Sequence, residues 1–221
     1  MEGVRNLALL HRILKRPSEE TTKDNLEIDF FKHNRELRKV RAFIRGKVGK
    51  GEFEQLFLKH FDSMYEWAVC ASESLKNSKH KDLLELSDKE GTIVHGDYNY
   101  HNILVTPNGI ATTNFEHFYK GIQMQDLYYF IRKTMEKNQW NVELGAKMLE
   151  HYSRIQNLSE EELQYIAICL AYPEKFWKAA NSYYRSSKAW ISSKSIEKLE
   201  LAISQTEEKK KFLESVFSFR L

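Results

Sequence analysis

Asp97 and Asn102 stand five residues apart in the run His95, Gly96, Asp97, Tyr98, Asn99, Tyr100, His101, Asn102, directly before an apolar stretch. A carboxylate at the end of a strand can accept the proton of an attacking hydroxyl. A carboxamide one tight turn later can hold a metal ion on nucleotide phosphates. The pairing suits phosphoryl transfer to a hydroxyl, with Asp97 as the catalytic carboxylate and Asn102 as a ligand of metal and nucleotide. The structural alternatives are an aspartate that caps the loop and an asparagine that braces it, and for Asn102 the two roles coexist.

Residues 103–106 form a short apolar run, Pro107, Asn108 and Gly109 supply turn chemistry, and residues 110–113 return as a second strand, so a hairpin is expected. Asn114, Phe115 and Glu116 follow. A kinase with this loop carries a metal-binding aspartate at the position of Asn114. Magnesium is a hard cation, and a carboxamide offers it a carbonyl oxygen but no charge, so the metal site is expected to be weakened. Glu116, two residues on and on the same face of an extended strand, is placed to lend a carboxylate. His101 and His117 beside His95 suggest zinc at first sight, but no cysteine lies near and no ligand spacing fits.

The segment TIVHGDYNYHNILVTPNGIATTNFEHFYKGIQMQDLYYFIR, residues 92–132, resembles the catalytic core of the aminoglycoside phosphotransferase and choline kinase superfamily, and within it the CotS family of spore coat kinase-like proteins. LALLHRIL (7–14), KHFDSMYEWA (59–68) and YPEKFWKAANSYYRSSKAW (172–190) extend the resemblance over most of the chain. It implies a mainly α fold with a small β-hairpin, the C-terminal lobe of the protein-kinase-like fold, and use of ATP and Mg2+. It implies structural support from His95, bracing the catalytic loop against the metal-binding segment, and from Asp126, holding the loop backbone at the start of a helix. Gln123 and Gln125 carry no distinguishable role.

Such a fold needs a β-rich lobe ahead of the catalytic lobe, with a glycine loop and a strand lysine for the phosphates. No segment before His11 can hold one, so residues 1–221 read as one kinase-like C-terminal lobe with the N-terminal ATP-binding lobe absent. Its parts are a helical segment (1–90), the catalytic loop and hairpin (91–122) and the C-terminal helices (123–221). The glycine-spaced RGKVGKGEF, residues 45–53, follows a helical pattern where a phosphate loop would follow a strand, and so reads as a helix-to-helix connection. An unpartnered lobe would expose the apolar face that its partner covers.

The elements that must position the site are helices. Nine glycines and three prolines in 221 residues are too few for the turns of an all-β protein. Apolar periodicity predicts helices over 4–14, 26–45, 53–75, 124–137, 142–154, 160–171, 174–184 and 196–216, with strands only between 92 and 113. Ser159, followed by Glu161 and Glu162, marks a capped start, and Pro173 suits a first turn. Of the aromatics Tyr172, Phe176, Trp177, Tyr183, Tyr184 and Trp190, most are expected in the core, and some are candidates to line a substrate cleft.

A 42% hydrophobic content supports a buried core, and a net charge of +3 is too small and too evenly spread for nucleic acid. Cys70 and Cys169 lie in apolar helical contexts and read as buried free thiols in a reducing compartment. Neither a signal peptide nor a stretch of the ~20 apolar residues that cross a bilayer is present. The family resemblance implies a spore-coat-associated kinase-like protein, made in the mother-cell cytoplasm, with coat proteins as partners; no nucleic acid or membrane is expected, and catalysis is expected to be weakened or lost at Asn114. The alternatives are an active small-molecule or protein kinase with an unknown hydroxyl acceptor, and an unrelated helical binding protein in which Asp97 and Asn102 do not converge.

Overall fold

The computed structural model describes residues 1–16, 22, 25–107, 109–186 and 193–221. The chain opens with four helices, α1 (Glu2–Ile13), α2 (Leu26–Gly46), α3 (Glu52–Asn77) and α4 (His80–Glu90). A β-rich stretch follows, with strands β1 (Ile93–Val94), β2 (Ile103–Thr106), β3 (Gly109–Thr112) and β4 (Tyr119–Lys120). Six helices complete the described chain: α5 (Met124–Lys137), α6 (Val142–Ser153), α7 (Glu160–Ala171), α8 (Glu174–Arg185), α9 (Ser193–Ser204) and α10 (Thr206–Phe217). Among the described residues the fold is mainly α, with the expected β-hairpin, β2–β3, and a second small antiparallel pair, β1–β4.

Local signals explain several boundaries. Ser159 and Glu162 form a capping box at the start of α7, satisfying two backbone donors reciprocally. Asn141 caps α6 by accepting the Leu144 N–H. Gly91 ends α4 in the left-handed conformation. Pro173 is the N-cap of α8, one position ahead of the first turn.

In α3, Phe53, Phe57, Phe61, Met64, Ala68, Ala71 and Leu75 are buried at three- and four-residue intervals, forming a stripe that packs against Leu37, Val40 and Ile44 of α2. Phe57 stacks on Phe176 at 5.1 Å and Phe53 on Tyr183 at 4.6 Å, tying α8 to the same core. Residues 165–171 of α7 are all buried, which makes α7 the central helix on which α3, α5 and α10 rest. Strands β1 and β2 bracket the loop that carries Asp97.

The structure departs from the sequence-derived elements in three places. Helix α4 buries only His80 and Ser87, so it lacks the apolar stripe by which a helix is recognised. Strand β4 pairs with β1 and lies beyond residue 113, and two residues are too short to display alternation. The helix expected over 196–216 breaks at Gln205 without glycine or proline. Gln205 accepts a hydrogen bond from Trp140 Nε1 (3.2 Å) and donates to the Glu136 carbonyl (3.0 Å), so a tertiary anchor replaces a local breaker.

Residues 45–53 form the α2–α3 connection, where Lys47 pairs with Glu54 at 2.5 Å and Glu54 accepts the Tyr183 hydroxyl at 2.8 Å. Both cysteines are free, Cys169 buried and Cys70 half-buried. Asn108 of the hairpin turn and Trp190 of the aromatic block lie outside the described residues.

Candidate active site

The expected hairpin forms, with Ile103 opposite Thr112 and Thr106 opposite Gly109. Ahead of it, β1 delivers the chain into the loop, held by Thr92, which accepts the Gly121 N–H at its carbonyl and donates its hydroxyl to the Gly121 carbonyl. Gly96 adopts a φ of +82°, and a Cβ there would fall inside contact distance of the His117 carbonyl oxygen. Only glycine lets the loop pass this close to the turn at Phe115–His117.

Asp97 and Asn102 converge. The Asn102 side-chain amide donates to the Asp97 carbonyl at 2.8 Å and to its Oδ2 at 2.9 Å, while Asn99 donates to Oδ1 at 2.8 Å. Both carboxylate oxygens are therefore oriented by amides from within the loop. Asn99 also accepts the His101 N–H at 2.9 Å, and sequence reasoning missed it. The available signal was an asparagine two residues after an aspartate, a spacing that favours local side-chain-to-backbone bonds.

His95 is fully buried. Its Nδ1 accepts the Asp97 N–H at 3.2 Å and its Nε2 donates to the Thr113 carbonyl at 3.0 Å, so one ring joins the loop to the end of the hairpin. Asp126 accepts the His95 N–H at 2.6 Å on Oδ2 and the Gly96 N–H at 3.0 Å on Oδ1. Gln123, to which the sequence assigned no role, donates to the carbonyls of His11, Leu14 and Ile93 at 3.0, 3.1 and 3.2 Å. Gln125 donates to the Tyr165 hydroxyl.

Asn114 is exposed and left-handed, with φ 63° and ψ 62°. The strand ends at Thr112 and residues 115–117 wind into a 3-10 turn, so period-two alternation does not relate Asn114 to the exposed Glu116. Among the described residues, no three His, Cys, Asp or Glu side chains converge as metal ligands. With its amide nitrogen directed to Asp97, Asn102 has Oδ1 left for a cation. Asn102, Asn114 and Glu116 together offer two neutral carboxamides and one exposed carboxylate, a donor set short of charge for magnesium.

The surroundings are strongly charged. The Asp97 carboxylate acts on Tyr129, whose hydroxyl is pushed up first by burial and then by that negative charge. Behind it, Arg132 lies 3.2 Å from Glu174 and 3.6 Å from Glu136, which Lys175 reaches at 3.2 Å. Glu174 is partly desolvated, which opposes ionisation, yet Arg132 and Lys178 hold its carboxyl below the usual range.

Residues 33–216 match the family model described as "Spore coat putative kinase YutH". The chain belongs to the YutH family. YutH membership agrees with a 27% identity over 173 residues to "Spore coat protein S" of Bacillus subtilis (strain 168), a match covering 74% of this chain and 47% of that protein. The chain thus spans about half the length of this curated relative. Among solved structures, it superposes on the aminoglycoside phosphotransferase from Alicyclobacillus acidocaldarius with a TM-score of 0.89 at 22% identity, over 98% of this chain and 64% of that one. That likeness establishes the kinase-like fold for this YutH-family chain.

The aromatic block is largely core. Tyr172 donates to Asn34 at 2.8 Å and stacks on Phe30, and Trp177 donates to Glu36 at 2.8 Å beneath His33. Tyr184 is exposed against Phe43. The cavity touched by Tyr172 and Phe176 measures about 40 Å³, room for a water and not for a sugar. A roomier cleft of about 440 Å³ lies between α8 and α9, lined by Lys175, Lys178, Ser182, Ser195 and Lys198 and by none of these aromatics.

Proposed function

We propose that this chain is a spore-coat-associated, kinase-like protein related to ATP-dependent phosphotransferases that act on a hydroxyl acceptor, with catalysis weakened or lost at Asn114. The observation that carries the reading is the closed Asp97–Asn102 loop, followed by an exposed Asn114 where the family resemblance leads one to expect a metal-binding aspartate. In this reading residues 1–221 form a single C-terminal lobe, and exposed apolar side chains of α1 and the hairpin, Ile13 at 76% and Val105 at 86%, are among those that an ATP-binding lobe would cover.

Asp97 is the carboxylate that would accept the acceptor proton, oriented by Asn99 and Asn102. Asn102, Asn114 and Glu116 are the residues that would hold Mg2+ on ATP. When bound, magnesium would neutralise phosphate charge, and the carboxamide at position 114 supplies no charge to keep it there. His95 and Asp126 fix the loop on which this chemistry depends.

YutH membership and the likeness to Spore coat protein S support assembly into the coat after synthesis in the mother-cell cytoplasm, with coat proteins as partners. No helix among the described residues is long and apolar enough to cross a membrane, and the near-balanced charge gives nucleic acid no purchase. The intact loop geometry also keeps alive the reading as an active small-molecule kinase. Calorimetric titration with ATP, with and without Mg2+ or Mn2+, tests both against an Asp97→Ala, Asn102→Ala double variant. Weak metal-dependent heat that the double variant loses supports the proposal. Tight binding with turnover favours the active kinase, and no heat in any metal leaves a scaffold.

A further inference from the structure

The carboxylate that holds the catalytic loop is itself held from behind. Asp126 Oδ2, which accepts the His95 N–H, lies 3.3 Å from Nε2 of His11, and His11 Nδ1 lies 2.6 Å from the Tyr152 hydroxyl. Asp126 is 2% exposed and the other two side chains 0%. The three residues come from α5, α1 and α6, and 115 and 141 positions separate His11 from its two partners.

For a neutral His11 ring, counting protons gives the direction of the chain. Each Asp126 oxygen already accepts a loop amide, so the 3.3 Å approach of His11 Nε2 to Oδ2 is a hydrogen bond when Nε2 carries the proton. A neutral ring then has its lone pair on Nδ1, and the Tyr152 hydroxyl must donate to it. Burial pushes the Tyr152 hydroxyl far up, which keeps it protonated and able to donate. The sequence of bonds is Tyr152 to His11, His11 to Asp126, and His95 and Gly96 to Asp126.

We propose that His11 and Tyr152 are positioning residues for the catalytic loop, acting through Asp126. A carboxylate held by two amides of one loop can swing with that loop. A third bond from a ring fixed in α1 ties its plane to the helical core. Gln123 strengthens the arrangement by binding the His11 carbonyl at 3.0 Å, so the last turn of α1 is fixed on both sides of the ring. The functional consequence rests on the reading of Asp97 as the catalytic carboxylate, whereas the mechanical claim does not.

The test uses the full chain without nucleotide, so its failure and that of the Asp97 reading stay distinguishable. Nitrogen NMR of the wild-type His11 ring should report the Nε2–H tautomer. In Tyr152→Phe, which keeps the ring and removes the hydroxyl, hydrogen exchange at the His95 and Gly96 amides should speed about tenfold, with the amides of α7 unchanged. An Nδ1–H tautomer, unaltered exchange, or acceleration spread equally over α7 would each overturn the proposal. Should Tyr152→Phe fail to fold, the wild-type tautomer decides alone.

Discussion

Asn102 donates one side-chain amide to both the carbonyl and the carboxylate of Asp97, at 2.8 and 2.9 Å, closing the loop across the turn that separates them. The bond gives Asn102 a structural role of its own, because a carboxylate in its place would set two like charges in contact. Asn102→Asp is therefore expected to lose about 2 kcal/mol at pH 8, with one carboxyl of the pair raised above its unfolded value. The sign follows: the folded state holds a proton that the unfolded state releases, so stability falls as pH rises above the ordinary carboxylate range and recovers below about pH 4. Urea denaturation of both proteins at pH 4 and pH 8 checks this.

Gly96 fixes how near the loop lies to the Phe115–His117 turn. Gly96→Ala would combine a Cβ against the His117 carbonyl with a φ of +82° that alanine rarely adopts. The expected loss is about 3 kcal/mol, together with displacement of the segment that carries Asn114. Chemical denaturation and amide chemical shifts of residues 114–118 measure the two effects.

Lys209 predicts a slope. Its ammonium donates to the Tyr172 carbonyl at 3.2 Å near the indoles of Trp67 and Trp140, and burial, outweighing the attraction of Glu136, pushes its pKa down to about 7. The unfolded lysine titrates near 10.4, so between about pH 7 and 10 the unfolded state binds more protons and folding stability rises with pH. Lys209→Met should flatten that rise. Denaturation midpoints taken across this range read the slope, whatever the offset from the Tyr172 carbonyl left behind.

Local pattern explains what the sequence revealed of this site. Asp97, Asn102 and Gly96 sit within one short run, and the hairpin follows from apolar residues around a turn. His95 and Asp126 were reached through the family resemblance. His11, Gln123 and Tyr152 were not legible, because their partners are separated by roughly thirty to 140 positions and a glutamine or tyrosine on a helix carries no mark of what it will meet. The Gln205 break is of the same kind, since its cause lies in Trp140 and Glu136. The strand alternation used to relate Glu116 to Asn114 does not apply, because a 3-10 turn replaces the strand assumed there.

The most direct test of the account is calorimetric comparison of wild type and Asn114→Asp, titrated with ATP in Mg2+. If the neutral carboxamide is what weakens this kinase-like site, the added charge should tighten Mg–ATP binding at least tenfold, about 1.4 kcal/mol. Equal affinity in the two proteins, whether tight, weak or undetectable, would contradict the claim that position 114 limits the site.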